Sequence, residues 1–424
     1  MTGFSRSRRI ARAAAVTLAA IAVVALAACG GKEYPNSTFL HWSDFGRDID
    51  FLWNRLLWWG TAVFILVELV LVYTIWRFRA RPGAPEPVQT HGNTALEITW
   101  TVIPAVILVF IAIPTVRVIF KTQAQAAAGA LQVEVIGHQW WWEFKYPQYG
   151  VTTANELYLP IGRTVNFALK TKDVLHSFWI PNLGGKRDLI SNRTNYMWFT
   201  TDSTPSAAMN GQCAEYCGDS HANMKFRVYT VAPGDFESWA AHQKRPAVFL
   251  APPAAPPVPV TPVKKASTAS LAVTPADSAP PMGYIFPKEK IEAFAMPQTP
   301  VPAQLQEIPE AVLAQGDPER GRQLYSRSAC IGCHMINGNP MSMGVIGPNL
   351  THFGSRHTLA AGLFPNDNRH LALWIKNARM MKPGVLMNTQ GMNQFDPMMK
   401  TMVTTGGLTD AQVADIVAYL RALK

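Results

Sequence analysis

Residues 213–224 read Cys213-Ala214-Glu215-Tyr216-Cys217-Gly218-Asp219-Ser220-His221-Ala222-Asn223-Met224. This stretch holds two thiols, an imidazole and a thioether, and a second imidazole lies upstream at His176. Such a mixture of soft ligands favours copper and is too varied for a structural zinc site. The spacing therefore predicts a copper site. The alternatives are a disulfide between the two cysteines, which an exported protein can form, and a mononuclear copper site.

The region around this stretch has the pattern of a small all-β domain. Short runs rich in β-branched and aromatic residues, separated by turn residues, predict strands at residues 131–136, 156–160, 164–169, 196–200 and 225–229. A sandwich or barrel of such strands is expected. We place this domain at residues 125–245.

Two apolar segments precede the β-rich region. Residues 56–76 are apolar apart from Glu68, and residues 98–116 carry no charge; at about 1.5 Å per residue the second reaches roughly 28 Å. We predict two membrane helices, at about 56–76 and 98–120, within an N-terminal section spanning 29–124. Because three arginines follow the first helix, the positive-inside rule places the connection in the cytoplasm and the later domains outside.

The N-terminal residues have the features of a bacterial export signal. Four arginines and an apolar run lead to Leu26-Ala27-Ala28-Cys29, which resembles a lipobox, so we predict a signal peptide at 1–28 and a lipoprotein acylated on Cys29. A plain signal peptide with an incidental Cys29 is the alternative. Cleavage would lower the formal net charge from +10 to +6, so the basic composition partly reflects targeting, and we expect no nucleic-acid partner.

The C-terminal part contains a second cysteine motif. Pro- and Ala-rich residues predict a linker at 246–312, and helical patterns at 317–329 and 409–423 belong to a domain at 313–424. Within it, Cys330-Ile331-Gly332-Cys333-His334 is a haem attachment signature, in which both thiols form thioethers and the histidine binds iron. A redox dithiol is the alternative, but no strand-to-helix unit surrounds this motif.

The first motif resembles that of subunit II of the haem-copper cytochrome c oxidases, Cys-x-Glu-x-Cys-x3-His-x2-Met with an upstream histidine. The resemblance implies a cupredoxin-like domain with a binuclear copper centre, CuA, in which both cysteines bridge two copper ions. The implied CuA ligands are His176, Cys213, the Glu215 carbonyl, Cys217, His221 and Met224.

The same resemblance covers residues 50–240 and implies three further roles. Trp140, in Gly137-His138-Gln139-Trp140-Trp141-Trp142, would be the residue through which electrons reach CuA, with plain core packing as the alternative. The side chain of Glu215 would help to hold a magnesium ion at an interface with subunit I, where Asp188 would also lie. Glu97 would stand at the entrance of a proton channel, although it could simply be interfacial; Glu68 is a second ionisable group at membrane depth.

The C-terminal domain resembles class I cytochrome c, an all-α fold. The resemblance rests on Gly347-Pro348-Asn349-Leu350, on Lys382-Pro383-Gly384-Val385-Leu386-Met387 and on a final helix with Tyr419. It implies a covalent haem c with Met387 as the sixth iron ligand, although Met392 is an alternative. The final helix is expected to pack on the first through Gly321 and Tyr325.

Together these features imply a multidomain chain with a two-helix transmembrane hairpin, a cupredoxin-like CuA domain and a cytochrome c domain. It would be a multi-pass protein of the bacterial inner membrane with both domains on the periplasmic side. It would take electrons from a cytochrome c or a quinol–cytochrome c reductase and pass them to subunit I, beside subunit III, where oxygen is reduced to water with proton translocation.

A CuA-containing nitric oxide reductase subunit is the alternative oxidoreductase, and a copper-trafficking lipoprotein is an alternative from another class.

Residues 131–245 carry 11 basic and 10 acidic side chains, and residues 313–424 carry 11 basic and 6 acidic side chains. Since a linker already raises the effective concentration of the haem domain, a weak and partly apolar contact between the two domains is expected to suffice.

Overall fold

The computed structural model describes residues 36–83, 85–86, 88–89, 91–202, 206–247 and 283–424, together with residues 12, 16–21 and 23. Cys29, almost all of the expected signal peptide and residues 248–282 of the expected linker lie outside the described residues.

Two long apolar helices open the described chain, α1 (Asp44–Arg77) and α2 (Thr94–Gln123). Both predicted membrane helices are present, and both are longer than predicted. The reason for the early start of α1 is tertiary: the N-cap Ser43 bridges to Thr201, and Asp44 accepts a hydrogen bond from the amide of Thr200 at 2.8 Å. The first turns of α1 are therefore bound to the β domain, while no residue in the apolar window of either helix is buried.

The β domain is a sandwich of two five-stranded sheets. Its strands are β1 (Leu131–His138), β2 (Trp141–Tyr146), β3 (Val151–Ala154), β4 (Glu156–Pro160), β5 (Thr164–Thr171), β6 (His176–Trp179), β7 (Arg187–Leu189), β8 (Asn195–Thr200), β9 (Ala207–Cys213) and β10 (Lys225–Val231). The sheet orders are β3-β2-β1-β5-β8 and β4-β10-β9-β6-β7. All five predicted runs are strands. The other five were missed because they are short or, like β9, poor in β-branched residues, and pairing with neighbouring strands stabilises them.

Aromatic side chains fill the space between the sheets. Phe178 and Phe226 stack at 5.0 Å between ring centroids, and the fully buried Trp142 packs edge-on against both. Since these three residues come from β6, β10 and β2, the core fixes the strands that flank the predicted copper ligands. Helix α3 (Pro233–Gln243) closes one end of the sandwich.

The C-terminal domain is mainly helical. It contains α4 (Glu310–Leu313), α5 (Pro318–Arg327), α6 (Cys330–Cys333), α7 (Asn368–Met381) and α8 (Asp410–Ala422), with two-residue strand pairs β11 (Thr358–Leu359) with β12 (Phe364–Pro365) and β13 (Phe395–Asp396) with β14 (Thr401–Met402). The predicted packing of α5 on α8 is confirmed. The rings of Tyr325 and Tyr419 lie 5.5 Å apart, and Gly321 sits against the backbone of Asp415.

The part of the predicted linker at residues 283–312 is packed against both domains. Phe286 and Ile291 are buried in the core of the β domain, and Leu305 and Ile308 are buried in the core of the helical domain. The frequent prolines of this segment keep the chain extended, but the apolar side chains between them can still be buried.

The close approach at Gly321 gives a stability prediction. A methyl group at this position would overlap the carbonyl of Asp415, so we expect Gly321→Ala to lower the free energy of unfolding of the helical domain by about 2 kcal/mol or more. Urea unfolding followed by circular dichroism measures this change. Gly234→Ala is the control, since nothing lies within 4 Å of the added methyl; equal effects of the two substitutions would contradict the prediction.

Candidate metal centre and cofactor cavity

Strand ends bring the predicted copper ligands together. His176 is the first residue of β6, Cys213 is the last of β9, and Phe178 of β6 pairs in register with Cys213. The chain then forms a loop, enters a 3₁₀ turn at His221–Asn223 and returns at Met224 to start β10. The amide of Cys213 donates to the carbonyl of Met224 at 2.9 Å, which closes the loop.

The donor atoms converge around the two sulfurs. Cys213 Sγ and Cys217 Sγ lie 3.8 Å apart, and each faces one imidazole: His176 Nδ1 is 3.8 Å from the first sulfur and His221 Nδ1 is 3.6 Å from the second. Met224 Sδ is 3.8 Å from Cys217 Sγ, and the carbonyl oxygen of Glu215 is 3.2 Å from Cys213 Sγ. The other four predicted groups therefore surround the two unbonded cysteine sulfurs, a disposition that suits two soft metal ions.

Burial and proton affinity also suit a metal centre. His176 and Met224 are fully buried, and both cysteines are nearly so. The hydrogen bond between the two thiols, and then that with His176, lower the pKa of Cys213 well below its ordinary value, whereas the thiol–thiol hydrogen bond and burial raise the pKa of Cys217. A thiol that loses its proton readily is a good metal ligand.

Asp173 fixes the orientation of His176. Its Oδ1 lies 2.8 Å from His176 Nε2, which leaves Nδ1 directed at Cys213. Burial opposes ionisation of Asp173, but hydrogen bonds from His176 and from the amide of Gln139 outweigh it, so the pKa of Asp173 is lowered. Carboxylates commonly hold metal-binding histidines in this way.

The helical domain encloses a cavity of about 220 Å³. Its wall includes Cys330, Cys333, His334 and Met387; the alternative residue Met392 is not part of it. His334 Nδ1 faces the carbonyl of Pro348 at 2.8 Å, which leaves Nε2 free for a metal. Gly347 lies against the His334 ring, where a side chain would collide with it. Two thiols, an oriented imidazole and a thioether on one largely apolar wall fit a covalently attached haem.

The β domain supplies part of the wall of the same cavity, including Gln139, Trp140 and Trp141. Trp140 Nε1 donates to the carbonyl of Cys217 at 2.9 Å, and Gln139 Nε2 donates to the same oxygen at 2.8 Å. Trp140 thus contacts both the cavity and the loop of the copper ligands. Trp141 instead stacks on His138, with ring centroids 4.0 Å apart.

The contact between the two domains includes buried charged groups that the sequence did not single out. Lys382 Nζ donates to the carbonyl of Trp140 at 2.6 Å, and burial lowers the pKa of this amine to about 7. The buried carboxylate of Glu156 accepts from the amides of His357 and Thr358 at 2.8 and 2.9 Å. Hydrogen bonds of buried charged groups therefore cross this boundary, a feature that the expectation of a weak and partly apolar contact did not include.

The other predicted residues lie at surfaces. Asp188 and Glu215 are both exposed. They lie on neighbouring segments, because Ser177 pairs in register with Asp188 and its carbonyl accepts from the amide of Ala214, which precedes Glu215. Glu97 is exposed in the first turn of α2, and Glu68 is half-buried in α1. Glu215 belongs to the loop of the sulfur site through its carbonyl, whereas Glu68, Glu97 and Asp188 lie on α1, α2 and β7.

Two buried histidines also meet at the domain boundary. The rings of His242 and His352 lie 4.6 Å apart. Burial, and then the neighbouring His242, lower the pKa of His352 to about 4. Arg356 also lowers this pKa, whereas hydrogen bonds with the backbone of Arg245 and Lys424 raise it. Burial, and then Arg245, lower the pKa of His242 as well.

This pair predicts a loss of stability in acid. Folding favours the neutral form of His352, because its pKa is lowered from 6.5 to about 4. The resulting contribution to the free energy of unfolding is complete above pH 6.5 and is lost as the pH falls towards 4. Relative to His352→Gln, which does not titrate, the wild type should lose on the order of 3 kcal/mol over this range. Urea midpoints of both proteins at each pH test this; parallel pH profiles would contradict it.

Family models match three parts of the chain. Residues 43–118 match the family model "Cytochrome C oxidase subunit II, transmembrane domain", residues 150–231 match "Cytochrome C oxidase subunit II, periplasmic domain", and residues 318–424 match "Cytochrome c".

Individual relatives extend the match over most of the chain. Cytochrome c oxidase subunit 2 of Alkalihalophilus pseudofirmus is 30% identical over 368 residues, which cover 85% of this chain and 83% of the relative. The cytochrome c oxidase subunit 2 of Bacillus subtilis is 29% identical, and the match covers 84% of this chain and 83% of the relative. The crystal structure of the periplasmic domain of subunit II of cytochrome oxidase of Bradyrhizobium japonicum is 27% identical and covers 28% of this chain and 97% of that domain, with a TM-score of 0.27. The chain belongs to the cytochrome c oxidase subunit 2 family, oxidoreductases of the haem-copper terminal oxidases, and carries a cytochrome c domain behind its copper domain.

Proposed function

We propose that this chain collects electrons for the oxidase and delivers them to subunit I. When bound, a covalent haem c and a binuclear CuA centre would supply the one-electron chemistry for transfer from an external donor to subunit I, where oxygen would be reduced to water with proton translocation.

The residues proposed to hold these groups follow from the two sites. Cys330 and Cys333 form the thioethers, and His334 and Met387 bind the iron. Arg356, whose partly exposed guanidinium belongs to a residue of the cavity wall, suits a haem propionate. The copper pair is held by His176, Cys213, the Glu215 carbonyl, Cys217, His221 and Met224.

The position of Trp140 carries this proposal. Its indole N–H binds the carbonyl of a copper-ligand cysteine, and its side chain forms part of the wall of the haem cavity. A single aromatic side chain therefore spans the distance between the two sites. Such a path needs no encounter between separate proteins.

The remaining assignments belong to the same proposal. The domains are a copper domain at 125–245 and a haem domain at 313–424. The chain is multi-pass in a bacterial inner membrane, is anchored additionally through acylated Cys29, and contacts subunits I and III. The side chain of Glu215 shares a magnesium ion with subunit I, Glu97 lies at a proton entrance, and the donor is a cytochrome c or a quinol–cytochrome c reductase.

Metal and optical analysis of residues 125–424, produced with haem maturation and supplied with copper, tests the proposal. We expect two copper ions and one covalent haem per chain, together with a mixed-valence near-infrared band. One copper ion or none, with a disulfide between Cys213 and Cys217 that survives copper loading, would overturn the CuA assignment.

A further inference from the structure

The segment that carries Met387 is rich in methionine. Seven methionines lie within residues 380–402, and each offers a metal the same thioether sulfur. Met387 belongs to the wall of the haem cavity, whereas Met392 is not part of that wall and its amide donates at 2.9 Å to the carbonyl of Leu408. Because the side chains are identical, the backbone that carries them must decide which one reaches the cavity.

The guanidinium of Arg379 holds this backbone on both sides of Met387. Arg379 lies in the last turn of α7 and is only 8% exposed. Its Nη2 donates at 2.7 Å to Oδ1 of Asn388, the residue after Met387. Before Met387, its Nε and Nη2 make longer contacts of 3.4 and 3.5 Å with the carbonyls of Val385 and Leu386. One planar fork of donors therefore spans the position of the proposed iron ligand.

Asp396 in turn holds the guanidinium. Its Oδ2 accepts from Arg379 Nη1 at 2.7 Å, and the carboxylate is almost fully buried. Its Oδ1 accepts from the amides of Met398 and Met399 at 2.9 and 3.0 Å, so the carboxylate is fixed by the hairpin of β13 and β14. These are charge-assisted hydrogen bonds with little solvent to compete for them. We call Arg379, Asp396 and Asn388 the anchor.

Asn377 fixes the helix turn from which the anchor extends. The backbone of α7 departs from helical geometry at this residue, with φ −154° and ψ 76°. Asn377 Oδ1 accepts from the amide of Met380 at 3.0 Å and from Thr389 Oγ1 at 3.1 Å, and its Nδ2 donates to the carbonyl of Phe395 at 2.7 Å. The last turn of α7 is thus bound separately to the segment after Met387 and to β13.

We propose that the anchor is a positioning element that selects Met387 from the neighbouring methionines and holds its thioether against the haem iron. This inference rests on the proposed assignment of Met387 as the sixth ligand. Histidine and methionine ligation raises the reduction potential of a haem, so a firmly held thioether also keeps that potential high. The competing explanation is that the buried pair of Arg379 and Asp396 stabilises only the fold.

Imidazole competition in the full-length chain tests the inference. The chain is purified in detergent with its haem attached and is kept in the ferric state. Added imidazole competes with Met387 for the iron, so its affinity, followed by the haem absorption, reports how firmly the thioether is held. Arg379→Lys keeps the positive charge but loses the fork of donors. We expect this variant to bind imidazole about tenfold more tightly than the wild type, or more, and its haem potential to fall.

Arg369→Lys is the matched control, because it makes the same substitution at an exposed position of the same helix. Its imidazole affinity and its haem potential should equal those of the wild type. An Arg379→Lys chain that unfolds at lower urea but keeps both the imidazole affinity and the potential of the wild type would overturn the inference, since the pair would then serve the fold alone.

Variants of Asn388 cover the case in which Arg379→Lys does not fold. Asn388 is exposed, so its substitution leaves the core and the pair of Arg379 and Asp396 in place. Asn388→Ala removes only the acceptor beside Met387 and should raise the imidazole affinity about threefold or more. Asn388→Asp keeps an acceptor oxygen and should restore the affinity of the wild type. Equal affinities of the alanine variant and the wild type would contradict the anchor.

Met387→Leu separates this inference from the assignment on which it rests. A thioether bound to ferric haem gives a sulfur-to-iron charge-transfer band in the red part of the spectrum, and we expect Met387→Leu to abolish it. A band that persists in Met387→Leu would overturn Met387 as the proposed ligand, whatever the Arg379 and Asn388 variants do. A band that disappears, together with unchanged imidazole affinities of those variants, would overturn the anchor alone.

Discussion

Cys217→Ser is expected to abolish the binuclear copper centre and to lower the oxygen uptake of the intact oxidase by more than about a hundredfold. Mutation of residues that only orient metal ligands already lowers metal affinity or activity by up to about a hundredfold, and loss of a ligand should cost more. Cys217 lies at the centre of the donor set, with Cys213 Sγ, His221 Nδ1 and Met224 Sδ all within 3.8 Å of its sulfur. A serine hydroxyl is a hard ligand that cannot bridge two soft ions in the same way.

The near-infrared band and the copper content report this change directly. Ala214→Ser is a matched control, because it adds a hydroxyl to the same loop without replacing a proposed ligand. The haem absorption of Cys217→Ser should persist, since Cys330, Cys333, His334 and Met387, which are proposed to hold the haem, all lie in the helical domain. Two bound copper ions with an intact mixed-valence band in Cys217→Ser would contradict the assignment.

Cys330→Ala with Cys333→Ala is expected to have the second large effect. Both thiols lie on the wall of the haem cavity, and without them the haem has no covalent attachment. Haem staining of the denatured chain should disappear, and oxygen uptake with a protein donor should fall more than about tenfold, because in the proposed path electrons cross the haem domain before they reach Trp140.

The copper centre should survive this double substitution. None of its ligands belongs to the haem domain, so the near-infrared band should remain after chemical reduction and partial reoxidation. The two sets of cysteine variants thus separate the centres: each should lose one optical signature and keep the other. A covalent haem in the Cys330, Cys333 double variant would contradict the attachment site.

Much of the copper site could be predicted from the sequence because its ligands are concentrated in one loop. Five of the six proposed groups lie between Cys213 and Met224, and their spacing alone limits where a metal can sit. The haem site was equally local, since Cys330, Cys333 and His334 lie on adjacent turns. Met387 required the resemblance to cytochrome c, because several methionines follow it and only the folded chain places Met387, and not Met392, on the cavity wall.

The positions of the strands were harder to predict from the sequence. Five runs with clear β patterns were predicted correctly, whereas β6 and β9, which carry His176 and Cys213, were missed. Each is stabilised mainly by its neighbours in the sheet and by aromatic packing around Phe178. Likewise, residues 283–312 resemble a tether in composition, although their apolar side chains are buried against both domains.

The sequence by itself determined the ligand chemistry, the domain types and the two apolar helices, since each is encoded by residue types at short spacing. Only the tertiary structure decided how the domains meet. Glu156 and Thr358 are separated by 202 residues, and Trp140 and Lys382 by 242. No local pattern marks such partners: a buried carboxylate or lysine is stable only where the folded chain supplies its hydrogen bonds, and those come from backbone groups, which every residue possesses.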